Sequence, residues 1–165
     1  MRSLTWMFSR ERTASLIWAA RSLSMRPATS WSNLPAASVS ADSPNDIWAV
    51  GGQSGGTPPV LLEHYSGTAW TEVPNPALPA NLTYSGWLRA VTALGPGDVW
   101  AVGAAIANSS TNQTLALHFD GTGWQVIPSD NPPAAHGLLE SVAGTIPGQP
   151  LWATGPGPTI ETTTG

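Results

Sequence analysis

The chain has 165 residues and contains neither cysteine nor lysine. Without cysteine there is no disulfide framework, thiolate zinc site, catalytic thiol or cysteinyl cofactor. Charged residues make up only 10%, against a usual share of about 25%. The longest apolar stretches fall well short of the ~20 residues a membrane helix needs, so no membrane span is expected. What is abundant points to a turn-rich, foldable chain. Glycine and proline together supply 33 of 165 residues, apolar residues 41%, and there are nine tryptophans. That glycine and proline share lies below the range of low-complexity disorder.

Charge is unevenly placed. Five of the six bases (Arg2, Arg10, Arg12, Arg21, Arg26) precede Pro27 beside one of the ten acids, Glu11, so this segment carries +4 and the remainder −8. Arg89 is the single base of that remainder. Phosphate-backbone binding needs a row of Lys or Arg, so no nucleic-acid partner is expected. Residues 1–28 are serine-rich, and their apolar stretch Ala14 to Ala20 is flanked by Arg12 and Arg21. They read as an unstructured extension, a marginal helix, a poor targeting segment or a mis-assigned start. An exported or extracellular setting is compatible with this, but the compartment stays open.

Internal repeats decide the fold. Asp46-Ile47-Trp48-Ala49-Val50-Gly51 recurs as Asp98-Val99-Trp100-Ala101-Val102-Gly103, and a third copy reads Leu151-Trp152-Ala153-Thr154-Gly155, with Trp48, Trp100 and Trp152 spaced by 52 residues. A second motif, Leu61 to Trp70, returns 54 residues later as Leu115 to Trp124. Apolar strands around Val39, Val91 and Val142 precede the three copies.

Each repeat reads as four short strands. The first stops at Ser43-Pro44-Asn45 or Gly95-Pro96-Gly97, where proline ends the ladder. The second, the Trp-Ala-Val run, is apolar on both faces, as for a strand covered on both sides. The third ends in a tight hairpin, Ser66-Gly67-Thr68 or Asp120-Gly121-Thr122. The fourth runs from Trp70 to Val73 or from Trp124 to Ile127. Four antiparallel strands every ~50 residues is the arithmetic of a β-propeller blade. The expected fold is therefore all-β, with propeller blades in an incomplete ring. The divisions are 29–35 as an outer strand of a preceding blade, 36–76 as blade 1, 87–130 as blade 2 and 138–165 as a truncated blade 3. The Gly51-to-Leu61 spacing, carried over from Gly155, puts the third strand of blade 3 at Gly165.

Ala49-Val50-Gly51-Gly52, then Tyr65, then Trp70 with Val73-Pro74, resembles the kelch or galactose-oxidase-type blade, over about Trp31 to Gly155. Ala104 and Phe119 replace Gly52 and Tyr65 in the second copy. Enzymes of the propeller type need groups missing here: a cysteine-linked tyrosine for copper, where the chain has no cysteine; an arginine cluster for a sialidase, where the blades have only Arg89; a repeated lysine for quinone dehydrogenases, where there is no lysine. No two acids stand out as a glycosidase pair. No catalytic residue, cofactor or metal is assigned.

His64 and His118 recur in register, as do Asp46 and Asp98. A catalytic group is needed once per site, so repetition favours structural roles: imidazoles bonding a neighbouring strand, and carboxylates bonding turn amides. Trp48, Trp100, Trp152, Trp70 and Trp124 are expected to pack blade on blade, each worth up to about 4 to 6 kcal/mol as an upper bound.

In an antiparallel meander the second-to-third and fourth-to-first connections share one end, and here these are the long ones: Gly52 to Pro59, Ala104 to Gln113, Asn75 to Gly86 and Ser129 to Gly137. Tyr84, Trp87, Arg89 and His136 are the unrepeated candidates on that face, where an aromatic pair beside one cation suits a sugar or peptide. The sequons at Asn81, Asn108 and Asn112 fall there too. The reading is a non-enzymatic interaction or ligand-binding scaffold for a protein or carbohydrate ligand, completed by self-association or further blades. The rival is a piece of a carbohydrate-acting hydrolase or lyase whose catalytic residues lie in other blades.

Overall fold

The structure is a computed structural model that describes residues 36–53, 60–79, 86–107, 111–129, 137–148, 151–156 and 160–163. The expected N-terminal extension and the strand at 29–35 lie outside the described residues. Every regular element described is a strand. Blade 1 is the meander β1 (Ala36–Ser43), β2 (Asp46–Gln53), β3 (Val60–Tyr65) and β4 (Trp70–Glu72). Blade 2 repeats it with β5 (Gly86–Gly95), β6 (Asp98–Ala107), β7 (Thr111–Phe119) and β8 (Trp124–Ile127). Blade 3 contributes β9 (Ser141–Ala143), β10 (Leu151–Thr154) and β11 (Ile160–Thr163). This is an all-β, propeller-type arc of consecutive antiparallel blades.

Blade 3 corrects one expectation: its third strand begins at Ile160 and not at Gly165. Val50 pairs with Leu62 in blade 1 and Thr154 with Ile160 in blade 3, so the connection there is six residues shorter. A second correction concerns the stretch from Ala104 to Gln113, expected as a long loop. β6 and β7 stay paired out to Ala107 and Thr111. The corresponding stretch of blade 1 contains Gly55, Gly56, Pro58 and Pro59, whereas blade 2 has neither residue there and loses no ladder donor.

The first strands converge, β1 touching β5 and β5 touching β9, which makes them the hub of the arc. The main core lies between blades 1 and 2, where Trp48, Val50 and Leu62 meet Leu88, Val99, Leu115 and Trp124. Trp48 is the anchor of that seam, its ring 4.7 Å from Phe119 and 5.2 Å edge-on from Trp124. Blades 2 and 3 share a smaller cluster of Val102, Ala116, Leu139 and Ala153. A third cluster, Ile47, Ala49, Tyr65 and Trp70, occupies the other face of blade 1. Ser38 and Ser40 on β1 also bridge the first seam, their hydroxyls accepting from the amides of Val91 (3.2 Å) and Ala93 (3.0 Å).

The repeated glycine has a steric cause. A Cβ on Gly103 would collide with the Trp87 carbonyl, and one on Gly155 with the Leu138 carbonyl. Gly103 stands opposite an inner strand that carries an extra residue and so bulges toward it. The second glycine of blade 1, Gly52, faces the Trp87 backbone where β5 crosses onto β2. In the next seam the close approach falls instead on Gly137, against the backbone of Asn112 and Gln113, and Ala104 is accommodated.

Candidate functional site

Two constellations carry polar chemistry among the described residues. The first is repeated. In blade 1, His64 stacks on Trp48 at 4.4 Å, and its Nε2–H donates to Oδ1 of Asp46 at 2.8 Å. In blade 2, His118 stacks on Trp100 at 4.2 Å and donates to Oδ1 of Asp98 at 3.0 Å. The pairing follows from register, since Trp48 faces His64 and Trp100 faces His118 across adjacent strands, while each aspartate opens the second strand. The copies differ at the indole. Trp100 Nε1–H donates to Asp98 at 2.7 Å, whereas Trp48 Nε1 is buried without a partner. Asp98 also accepts from the Gly148 amide of blade 3 at 3.0 Å, so this carboxylate ties two blades together. Neither aspartate–histidine pair has a nucleophile hydrogen-bonded to it among the described residues.

The second constellation is not repeated. In β5 the register skips one residue between Leu88 and Ala90, and that residue is Arg89. Leu88 and Val91 both pack toward blade 1 and Ala90 toward blade 3, which leaves Arg89 outside both seams and exposed. Bulges characteristically re-aim a side chain in this way. Ala37 holds the matching place in β1, where the register skips between Ala36 and Ser38. Glu140, just before β9 and exposed, holds it in blade 3, its amide donating to Thr154 O at 2.7 Å. The hub therefore carries a cation on one blade and an anion at the same level on the next. Trp87 begins the same strand, half-buried, with a buried Nε1 that has no partner.

Tyr84 and His136, expected beside Trp87 and Arg89, lie outside the described residues. Trp70 and Trp124 are buried on the outer strands. Trp152 differs from its two counterparts in being 53% exposed on β10. Sequence reasoning missed Glu140. Its signal was available as an unrepeated charge directly after Leu138-Leu139, in line with Arg89 after Trp87-Leu88.

Two further carboxylates are perturbed. Asp120, at the β7–β8 hairpin, accepts from the hydroxyl (2.6 Å) and amide (2.9 Å) of Thr122 and from the Gly123 amide (3.1 Å), which pull its pKa down to about 2. Asp42 is pushed above the usual carboxylate range, first by burial and then by the nearby charge of Asp46. Both serve turns at the end of the blades opposite the long connections. No group of three metal-ligating side chains converges among the described residues, and among them there is no helix long and apolar enough to cross a membrane.

No family model matches the chain, and no curated protein matches it. One solved structure similar to it is described as YCF48 bound to D1 peptide, with 23% identity over 84% of this chain and a TM-score of 0.43. The match covers 42% of that protein, so the chain spans less than half its length.

Proposed function

We propose that this protein is a non-enzymatic interaction scaffold of kelch-like blades that holds a carboxylate-bearing ligand, protein or carbohydrate, at the hub on the long-connection side. One observation carries the reading: Arg89, the single base after residue 26, is the extra residue of a bulge on an inner strand and stands exposed outside both blade seams. A guanidinium forms bidentate, charge-assisted bonds to a carboxylate. Trp87, two residues earlier at the start of the strand, offers an aromatic surface beside it. Glu140 sets polarity, favouring a ligand that also presents a donor or cation toward blade 3. The kelch comparison rests on Gly51-Gly52, Tyr65 and Trp70, and on the close backbone crossing that Gly52 permits.

The test is binding of a mixed pool of peptides with free C-terminal carboxylates to the immobilised chain, compared with the same pool amidated. Acidic and neutral glycans are screened in parallel. Retention of the carboxylate pool or of acidic glycans, reduced at least about tenfold by Arg89→Gln with near-ultraviolet circular dichroism unchanged, supports the reading. Retention insensitive to Arg89→Gln sinks it.

A further inference from the structure

We propose that residues 1–35 of this chain dock on the face of blade 1 that turns away from blade 2, with one of their arginines paired to the buried carboxylate of Glu63. Side chains alternate along β3. Leu62 packs into the seam with blade 2 and His64 stacks on Trp48 there, so Leu61, Glu63 and Tyr65 point the other way. On that opposite face Glu63 stands level with Ala49, and Ile47, Ala49, Tyr65 and Trp70 form one cluster. The face is closed to solvent within the single chain: Glu63 and Tyr65 are 5% exposed, Trp70 8%, and Ile47 and Ala49 not at all. Val39 and Ala41 border the cluster from β1, but they belong to the same sheet and do not lie over it. Blade 2 lies against the other face, and blade 3 packs on blade 2. The cover therefore comes from outside the described residues.

Length, reach and charge name the occupant. Outside the described residues the chain has one long stretch, 1–35, and every other is seven residues or fewer. It leads directly into β1, where Ala36 stands in line with Gly51 and Leu61, two residues along the strands from the level of Glu63. Two strand spacings and two residues amount to about 12 Å. The ten residues from Arg26 to Ala36 span up to ~33 Å when extended. Glu63 has no counterpart in blade 2, where Leu117 holds the place and is fully buried. A carboxylate this deep is costly unless a cation or donors meet it. Arg89, the single base after residue 26, stands exposed at the hub outside both seams. The bases left for Glu63 are Arg2, Arg10, Arg12, Arg21 and Arg26. The same segment supplies Trp6, Trp18 and Trp31 for the apolar part of the face, and its +4 opposes the −8 of the rest.

The experiment is timed trypsin digestion of the 165-residue chain, read by mass spectrometry. With no lysine present and Arg26 followed by proline, the cuts in the segment fall after Arg2, Arg10, Arg12 and Arg21. The expected result is that the bonds after Arg12 and Arg21 are cut at least about tenfold more slowly in the native chain than in a free peptide of residues 1–35. Glu63→Gln should speed these cuts at least about tenfold with near-ultraviolet circular dichroism retained. Glu63→Leu, which brings in the blade 2 side chain at this place, should do the same. Changing the five arginines to Gln one at a time, read at the remaining sites, should single out one that matches Glu63→Gln and adds nothing to it in the double variant. A segment cut as fast as the free peptide, protection indifferent to both Glu63 variants, or no matching arginine would each overturn the proposal.

Discussion

The two blade seams are built from one repeat yet hold by different means. Between blades 1 and 2 the seam is aromatic and aliphatic, with Trp48 wedged against Phe119 and Trp124, and two serine hydroxyls take the free amides of the next inner strand. Between blades 2 and 3 the shared cluster has small residues, Ala116 and Ala153 with Val102 and Leu139. Backbone and carboxylate bonds take over there: Leu139 amide to Gly103 carbonyl at 3.0 Å, and Gly148 amide to Asp98 at 3.0 Å. Ala90 and Thr92 replace Ser38 and Ser40. The lesson is that a blade repeat conserves the requirement to satisfy its neighbour's edge and bury its flank, while the residues that do so vary from seam to seam.

The largest effect should come from Trp48→Ala, with a loss of about 3–5 kcal/mol in urea unfolding, because it empties the centre of the larger seam. Trp152→Ala, at the same register place but exposed, should change the unfolding free energy of the single chain by less than about 0.5 kcal/mol. Equal losses would break the comparison. Next in size, Gly103→Ala should remove about 1–3 kcal/mol by forcing β5 off β6, while Gly123→Ala, whose Cβ meets nothing within 4 Å, should be near neutral. Asp98→Ala should weaken the second seam by about 1–3 kcal/mol, since it strands the donors of Gly148, Trp100 and His118. It should speed amide exchange at Gly148 and leave Val91 untouched; Ser38→Ala should do the reverse, at about 1 kcal/mol.

The smallest effect concerns pH. Asp120 has its pKa lowered to about 2 from 3.8, so its hairpin bonds contribute stability above the unfolded-state pKa. That contribution is lost as pH falls from near 4 through about 2. A carbon-detected titration of Asp120 with a midpoint near the ordinary value would refute this. Asp42 runs the other way. With a folded-state pKa raised by burial and by Asp46, it favours the folded state least at neutral pH, and Asp42→Asn should raise the urea midpoint there.

Strand order and the blade period were legible because backbone pairing reports locally, through alternation, Gly-containing hairpins and proline stops. The shorter connection before Ile160 was not, because a spacing carried over from one repeat assumes equal loops, and loops are where repeats differ. The His and Asp positions were legible as a repeated pair, but not the stacking of each histidine on its tryptophan, which depends on cross-strand register. The candidate hub was half legible. Arg89 stood out as a lone cation, while the bulge that exposes it appears only when β5 is paired with β6 and one residue is left over.

By itself the sequence determined the all-β class and the antiparallel blades, since these follow from short-range periodicity and turn chemistry. Only the tertiary structure decided which flank each tryptophan covers, why Gly103 and Gly155 tolerate no side chain, and which charges face the hub. Those depend on how one blade's inner strand crosses the next, a contact between residues about fifty positions apart that no local pattern encodes.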